Sequence, residues 1–297
     1  MARRIQILSQ EQRITLIRFL AFLSLIRWYN LLVVAVAQYL AAYFILHHNP
    51  PWQAVVFDWQ LLGVACSTGL FIAGGYIINA FYDIEKDLAN RPGEVIMGRV
   101  ISKAQALRAW VLVNAVGLLV SALLKKELLF FNFLFAGALW FYSHKLSKKP
   151  LLGDIAAAFL TVAAFFAVCV YYGFVNKVIL IYAIFIVLIT LIRELVKDLE
   201  GMKGDLVFGY QTLPVVKGVA HTKNWLYGLM LCTIIPFMGL YYLVPLNQLL
   251  FYFAGCGMAL LGCGWLIYRA EQPADYKRVN NLLKLLILSG VASIALM

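Results

Sequence analysis

Long apolar runs, parted by short polar stretches, dominate the chain. Nine of them approach the roughly 20 residues that a membrane-crossing helix needs. They cover residues 28–46, 61–82, 107–124, 128–143, 151–174, 178–196, 224–244, 247–268 and 281–297. The third and fourth are short, and only Lys125, Lys126 and Glu127 part them. Residues 14–26 read as an amphipathic lead-in to the first span. No long Ser-, Pro- or Gly-rich linker interrupts the series, so residues 1–297 read as one all-helical domain of about nine transmembrane helices.

Composition agrees with the pattern. The chain is 63% hydrophobic and 13% charged, whereas soluble domains are roughly half apolar and about a quarter charged. Its polar surface is too small for a soluble protein, which predicts an integral membrane protein. The opening "MARRIQILSQEQR" is basic and polar, and the apolar stretch after it is too long for a signal-peptide core, so no cleavable signal is expected. All five cysteines lie in apolar runs without a CxxC pair, and they read as small buried hydrophobes.

Charge placement sets the orientation. Of the 25 Lys and Arg, 22 fall on one side of the predicted spans. The other side has only Lys125, Lys126 and Lys177. The positive-inside rule puts the rich side, with the N-terminus, in the cytoplasm and the C-terminus opposite, as in a multi-pass cell-membrane protein. The net charge of +11 is thereby accounted for, and a nucleic-acid partner is not needed to explain it.

The acids are concentrated. Eight of 14 lie in two short segments: Asp83, Glu85, Asp87 and Glu94 after span two, and Glu194, Asp198, Glu200 and Asp205 after span six. Both segments are on the predicted cytoplasmic side. Residues four apart share a helix face, so Asn79, Asp83 and Asp87 form one oxygen-bearing stripe and Glu194 and Asp198 a second. Like charges at this spacing repel, and divalent cations would compensate. Mg²⁺ suits carboxylates, water and substrate phosphates. Basic residues adjoin both stripes: Arg27, Arg91, Lys145, Arg193 and Lys197 are candidate diphosphate contacts, since arginine forks match phosphate oxygens. Asn30, Tyr76, Tyr82 and Tyr142 are candidates for lining the substrate and stabilising a cation. A Mg²⁺–diphosphate site with apolar walls suits a polyprenyl diphosphate donor, its tail lying between helices, and a lipophilic acceptor.

These motifs resemble those of the UbiA-type intramembrane prenyltransferases. "NAFYDIEKDLANRP" is similar to the first family motif, N-D-x-x-D-x-x-x-D, with Ala80 replacing an acid. "RELVKDLEGMKGDLVFGYQTLP" resembles the second, with Asp198 and Asp205 on acidic positions and Gly201 where an acid often stands. "IRWYN" resembles the R-P-x-N element, with Trp28 for Pro, and "YSHKLSKKPLLGD" the Tyr/Lys loop. The resemblance implies nine helices around a central cavity, cytoplasmic loops that cap the site and carry the acids, Mg²⁺, and prenyl transfer. The second motif most resembles the branch that prenylates geranylgeranylglyceryl phosphate. An aromatic-ring acceptor stays open, because the metal site handles the donor only.

Two other classes stay open as well. A transporter or channel could use intramembrane acids, but such sites usually lie near the bilayer midplane, and these acids lie at a rim. A membrane protein that binds a cofactor without catalysis is the other; its four histidines do not pair across spans as haem ligands would. The charge pattern gives a topology test. Reporter fusions at residues 50, 95, 147, 210 and 275 should read outside once and then inside four times. A cytoplasmic signal at residue 50 would overturn the span assignment.

Overall fold

The computed structural model describes residues 10–46, 51–90, 93, 95–243 and 247–296. Helices account for nearly all of it. Among the described residues the one sheet-like pairing is an isolated bridge between Met97 and Ile101.

Helix α1 (Gln10–Leu25) leads through a turn at Arg27 into α2 (Trp28–Leu40), which continues as a π-helical turn, Ala41–Leu46. After the short α3 (Trp52–Val56), Asp58 caps α4 (Trp59–Tyr82) by accepting from the Gln60 and Leu61 amides at 2.8 and 3.2 Å. Helix α5 (Ile84–Asn90) follows with hardly a break. Helix α6 (Lys103–Leu124) opens on a Ser102–Gln105 capping box. Helix α7 (Lys126–His144) returns antiparallel to it. Helices α8 (Leu152–Tyr172), α9 (Lys177–Val207), α10 (Leu213–Lys217), α11 (Val219–Cys232), α12 (Ile234–Leu243), α13 (Asn247–Arg269) and α14 (Pro273–Ser293) complete the chain.

Eight of these segments are long and apolar enough to cross a membrane. The remaining predicted span, 128–143, is the 19-residue α7. It is less apolar because Lys126, Glu127, Asn132 and His144 lie within it. Its buried Asn132 donates to Ser121 on α6 at 2.8 Å, which ties the hairpin together. Helices α11 and α12 form one span, bent at Thr233 where Pro236 removes a helix amide.

Two spans extend furthest beyond their sequence expectation. Span six does not stop at residue 196. It runs on as α9 for 31 residues, about 45 Å at 1.5 Å per residue, which exceeds a hydrocarbon core of about 30 Å. The second acidic segment is therefore helix rather than a loop. Residues 194–205 contain no proline, and they keep a buried apolar stripe of Leu195, Val196 and Leu199. The last span starts at Pro273 instead of 281, because proline sits in the first turn behind a Gln272–Asp275 capping box.

Helix α9 is the axis of the bundle. Its Ile179 and Tyr182 belong to one buried cluster with residues of α2, α4, α8 and the end of α14, and its Ile189, Ile192 and Leu195 to a second with residues of α11, α13 and α14. In lipid there is no hydrophobic drive between helices, so close packing and interhelical hydrogen bonds hold the bundle. Gln38 is fully buried and donates to Thr68 Oγ1 at 3.1 Å and to the Ala164 carbonyl at 2.9 Å, joining α2, α4 and α8. Tyr182 and Ser293 share a 3.1 Å bond between α9 and α14. Large apolar side chains such as Leu123, Phe130, Leu231 and Leu261 point outward to lipid. No disulfide joins the cysteines; Cys169, Cys256 and Cys263 are buried, and Cys66 and Cys232 face outward.

The alternation of spans sorts the polar residues by end. The start of α2, the end of α4, the α7–α8 loop and the end of α9 share one end. Asp58, Lys125 and Asn176 mark the other, where Tyr172 donates to Asp58 at 3.2 Å and Lys125 to the Tyr171 carbonyl at 2.9 Å.

Candidate active site

The first arm of the site is the α4–α5 junction. Asp83 leaves helical geometry (φ −98°, ψ 10°) and bends the chain there. The backbone bonds Asp83 N–Asn79 O and Asp87 N–Asp83 O, at 3.0 and 2.8 Å, carry the helical spacing across it. Asn79, Asp83 and Asp87 therefore do share a face. Asp83 is buried; its Oδ2 accepts from Asn79 at 3.0 Å and its Oδ1 from the Tyr210 hydroxyl at 2.7 Å.

The second arm is the end of α9 with the segment that folds back over it. Gly209 takes φ 71°, a left-handed turn that favours glycine. The chain then doubles back. The Tyr210 amide bonds the Asp205 carbonyl at 2.9 Å, the Thr212 hydroxyl bonds Asp205 Oδ2 at 3.0 Å, and the Gln211 amide bonds the Lys148 carbonyl at 3.1 Å. This turn carries Tyr210 onto Asp83 in the first arm. Two further ties cross the gap. Lys86 Nζ lies 2.7 Å from Asp205 Oδ1, and Asn90 Oδ1 accepts from the Gly204 amide at 3.0 Å.

Electrostatics follow from these pairings. Burial pulls the Lys86 pKa down, but Asp205, with Asp83 and Asp198 behind it, outweighs burial and holds the ammonium above the usual lysine value. Burial, the Asp83 charge and its hydrogen bond push the Tyr210 hydroxyl well above the usual tyrosine value, so it stays a donor. The Lys86 and Lys148 ammoniums lie 4.3 and 5.3 Å from the Tyr210 ring centroid.

A third group stands at the start of α2. Arg27 adopts φ 50°, ψ 54°, a left-handed conformation that costs a non-glycine residue about 1–3 kcal/mol. Trp28 occupies the first helical position, where proline is well suited. The turn places the Arg27 guanidinium 5.0 Å from the Tyr76 ring centroid, and Asn30 donates to the Tyr76 hydroxyl at 2.6 Å. Arg193 and Lys197 both pair with Glu194. Arg193 Nε is buried and, among the described residues, has no acceptor.

The α7–α8 loop supplies the fourth group. Leu151 (φ 58°, ψ −38°) sits at the centre of a tight three-residue turn, closed by the Leu152 amide on the Pro150 carbonyl at 2.6 Å. This turn starts α8 and sets Asp154 in its first turn. Asp154 is buried within the fields of Glu194, Lys197 and Lys86, and acts on Asp198 in turn. The Tyr142 hydroxyl lies in the combined field of Glu194, Asp83, Asp154 and Asp198.

The structure thus gathers Asn79, Asp83, Asp87, Glu194, Asp198, Asp205, Arg27, Arg193, Lys197, Asn30, Tyr76 and Tyr142 at one end of the bundle. Two candidates fall elsewhere. Lys145 is exposed and pairs with none of the described acids; the loop turns so that Lys148 reaches the site instead. Tyr82 packs its ring 5.2 Å from the His144 ring. Arg91 lies outside the described residues. Sequence reasoning passed over Lys86, Asp154, Thr212 and Asn90 as site residues. Asp154 had a readable signal: it is an acid inside the predicted span 151–174, and ionisable residues within spans are usually functional.

Among the described residues, no three acid, histidine or cysteine side chains stand close enough to share one metal ion. Asp83, Asp205 and Glu194 are each engaged by the partners named above. Asp198 and Asp154 feel each other's charge, and no described side chain hydrogen-bonds to either. Hard carboxylate oxygens with lysine and arginine side chains close by are a donor set that fits Mg²⁺, which needs only one or two carboxylates beside water and substrate phosphate.

The model of the UbiA prenyltransferase family matches residues 31–288. The chain belongs to this family; it is a multi-pass membrane prenyltransferase. A digeranylgeranylglyceryl phosphate synthase of Sulfurisphaera tokodaii is 29% identical over 212 residues, 68% of this chain and 71% of that protein. The Thermococcus gammatolerans protein of the same name is 30% identical over 202 residues, covering 67% and 69%. A solved structure of a digeranylgeranylglyceryl phosphate synthase superposes with TM-score 0.71 at 21% identity, over 93% of this chain and 97% of that one. A UbiA homologue from Archaeoglobus fulgidus bound to DMAPP and Mg²⁺ superposes with TM-score 0.65 at 18% identity, over 93% and 99%.

The Tyr/Lys loop can be tested by packing. A Cβ on Gly153 would meet the Leu146 carbonyl oxygen at 2.8 Å and Ser147 Cα at 3.3 Å, both backbone. Gly153→Ala should lower stability by about 1–3 kcal/mol, read as a lower Tm in detergent. A Cβ on Gly201 meets only the Asn90 amide nitrogen at 3.4 Å, so Gly201→Ala should shift stability by less than about 0.5 kcal/mol. An unchanged Tm in Gly153→Ala would contradict the loop packing described.

Proposed function

We propose that this prenyltransferase transfers a geranylgeranyl group from its diphosphate to the hydroxyl of geranylgeranylglyceryl phosphate, forming an ether lipid, at the cytoplasmic face of the cell membrane. The observation that carries the reaction class is the meeting of the two acidic helix ends, through Tyr210–Asp83 and Lys86–Asp205, beside Arg193 with its buried Nε. The names of the relatives support the acceptor. The 22-to-three split of basic residues supports the cytoplasmic face.

Each part has a physical role in this reading. Mg²⁺ bound there would neutralise the leaving diphosphate and so help the allylic C–O bond to ionise. Asn79, Asp83 and Asp87 from the first arm and Asp198 from the second would hold it. Glu194 serves instead as counter-ion to Arg193 and Lys197, keeping two cations packed together until a diphosphate arrives. Arg193 has a buried N–H to offer that diphosphate, and Arg27, strained into place on Tyr76, adds a second guanidinium. The rings of Tyr76 and Tyr142 present π faces to the allylic cation. The prenyl tail needs only apolar surface, which the helices above the site supply.

Asp83→Ala, Asp87→Ala and Asp198→Ala should each reduce turnover by at least on the order of 10²–10³-fold, with normal insertion and folding. Diphosphate release from geranylgeranyl diphosphate, measured with and without Mg²⁺, checks this. Turnover should require Mg²⁺ and be fastest with geranylgeranylglyceryl phosphate. Faster turnover with an aromatic acceptor would overturn the acceptor; wild-type activity in Asp83→Ala would overturn the metal ligands.

A further inference from the structure

We propose that Lys86 does the work of one divalent cation in this site. Its ammonium joins the two acidic segments and bonds the donor's diphosphate directly. This rests on the prenyl diphosphate reading above.

The geometry is that of a bridging cation. Lys86 projects from α5, between Asp83 and Asp87 in sequence. Its Nζ lies 2.7 Å from Asp205 Oδ1 on the opposite arm. Asp205 is fully buried, and its other oxygen accepts from Thr212 at 3.0 Å. Oδ1 accepts no hydrogen bond by angle and faces the ammonium as an ion pair, so the lysine charge holds the place where a metal ion would sit on Asp205. A second cation on the same carboxylate would be repelled at short range. The ammonium also lies 4.3 Å from the Tyr210 ring centroid, and the Tyr210 hydroxyl is bonded to Asp83. One lysine charge thus reaches the acids of both arms.

The ammonium has donors to spare for a ligand. An ammonium has three N–H groups, and its ion pair with Asp205 leaves donors over. Lys86 is 20% exposed, and it is held within the field of Asp198 as well as Asp83. A diphosphate held between these arms lies within its reach. The reduced acid count fits the same account. Ala80 in the first segment and Gly201 in the second stand where the resembling motifs have acids. Fewer carboxylates can hold fewer metal ions, and the lysine makes up one charge.

The test counts metal, with the full chain purified in detergent and Mn²⁺ as the spectroscopic probe. Bound Mn²⁺ is measured by electron paramagnetic resonance, with and without geranylgeranyl thiolodiphosphate, which does not react. Lys86→Met should bind one more Mn²⁺ per chain than wild type, because Asp205 is released. The gain should vanish in the double variant Lys86→Met/Asp205→Asn. Asp205→Asn alone should bind as many Mn²⁺ as wild type. Lys86→Met should raise the donor KM about ten-fold, as expected for losing a charge-assisted hydrogen bond, and leave the acceptor KM unmoved. Lys86→Arg should restore the donor KM. Equal Mn²⁺ counts in wild type and Lys86→Met, or loss of one Mn²⁺ in Asp205→Asn alone, would overturn the proposal. A change confined to Tm, with Mn²⁺ count and donor KM unmoved, would overturn it too, since that is the mark of a structural ion pair. If the wild-type chain releases no diphosphate from any prenyl donor with Mg²⁺, the underlying reading falls first.

Discussion

Buried charge is the constraint on which this molecule is organised. A carboxylate withdrawn from water is costly unless it is paired, and here the acids of two distant sequence segments are brought to one end of a membrane bundle. The fold answers that cost with basic neighbours. Lys86 takes Asp205, Arg193 and Lys197 take Glu194, and the Tyr210 hydroxyl takes Asp83. Asp154 and Asp198 have no such partner among the described side chains. A site that concentrates negative charge and leaves part of it uncompensated is prepared for cations, and its surrounding arginines and lysines are prepared for the anion that comes with them.

Positioning these groups falls to a few devices. Helix α9 is long enough to serve two environments: its first half packs in the bilayer, and its last turns carry the second acidic segment beyond it. The left-handed turn at Gly209 sends the chain back so that Tyr210 reaches the first arm. Two non-glycine residues, Arg27 and Leu151, adopt positive φ among the described residues. Each opens a helix, and each sets a site residue near the acids. Strain of this kind persists where surrounding contacts over-determine it, and here those contacts converge on the candidate site.

Much of this was legible in the sequence, for physical reasons. Spans show because the bilayer demands long apolar runs. The paired acids show because an i,i+4 spacing of like charges is unfavourable without compensation. What the sequence did not show depends on tertiary closeness. Lys86 reads as one more positive-inside lysine until Asp205, over a hundred residues away, is seen beside it. Lys145 and Lys148 differ by less than one turn, and it is Lys148, at the end of a 3-10 turn and bonded through its carbonyl to the Gln211 amide, that lies over Tyr210. Asp154 was readable as an acid within a span, but its closeness to Asp198 was not. The extension of α9 was obscured because polar residues beyond 196 resemble a loop end, although Leu195, Val196 and Leu199 continue the buried face.

The central claim is that the ends of α4–α5 and α9 together clamp a metal–diphosphate. The most direct measurement is anomalous diffraction from crystals grown with Mn²⁺ and geranylgeranyl thiolodiphosphate. The account predicts an anomalous peak between the two arms, about 2.0–2.3 Å from oxygens of Asp83 or Asp87 on one side and Asp198 on the other. The diphosphate should lie against Arg193. A peak elsewhere, or a diphosphate bound with no metal between those helix ends, would contradict it.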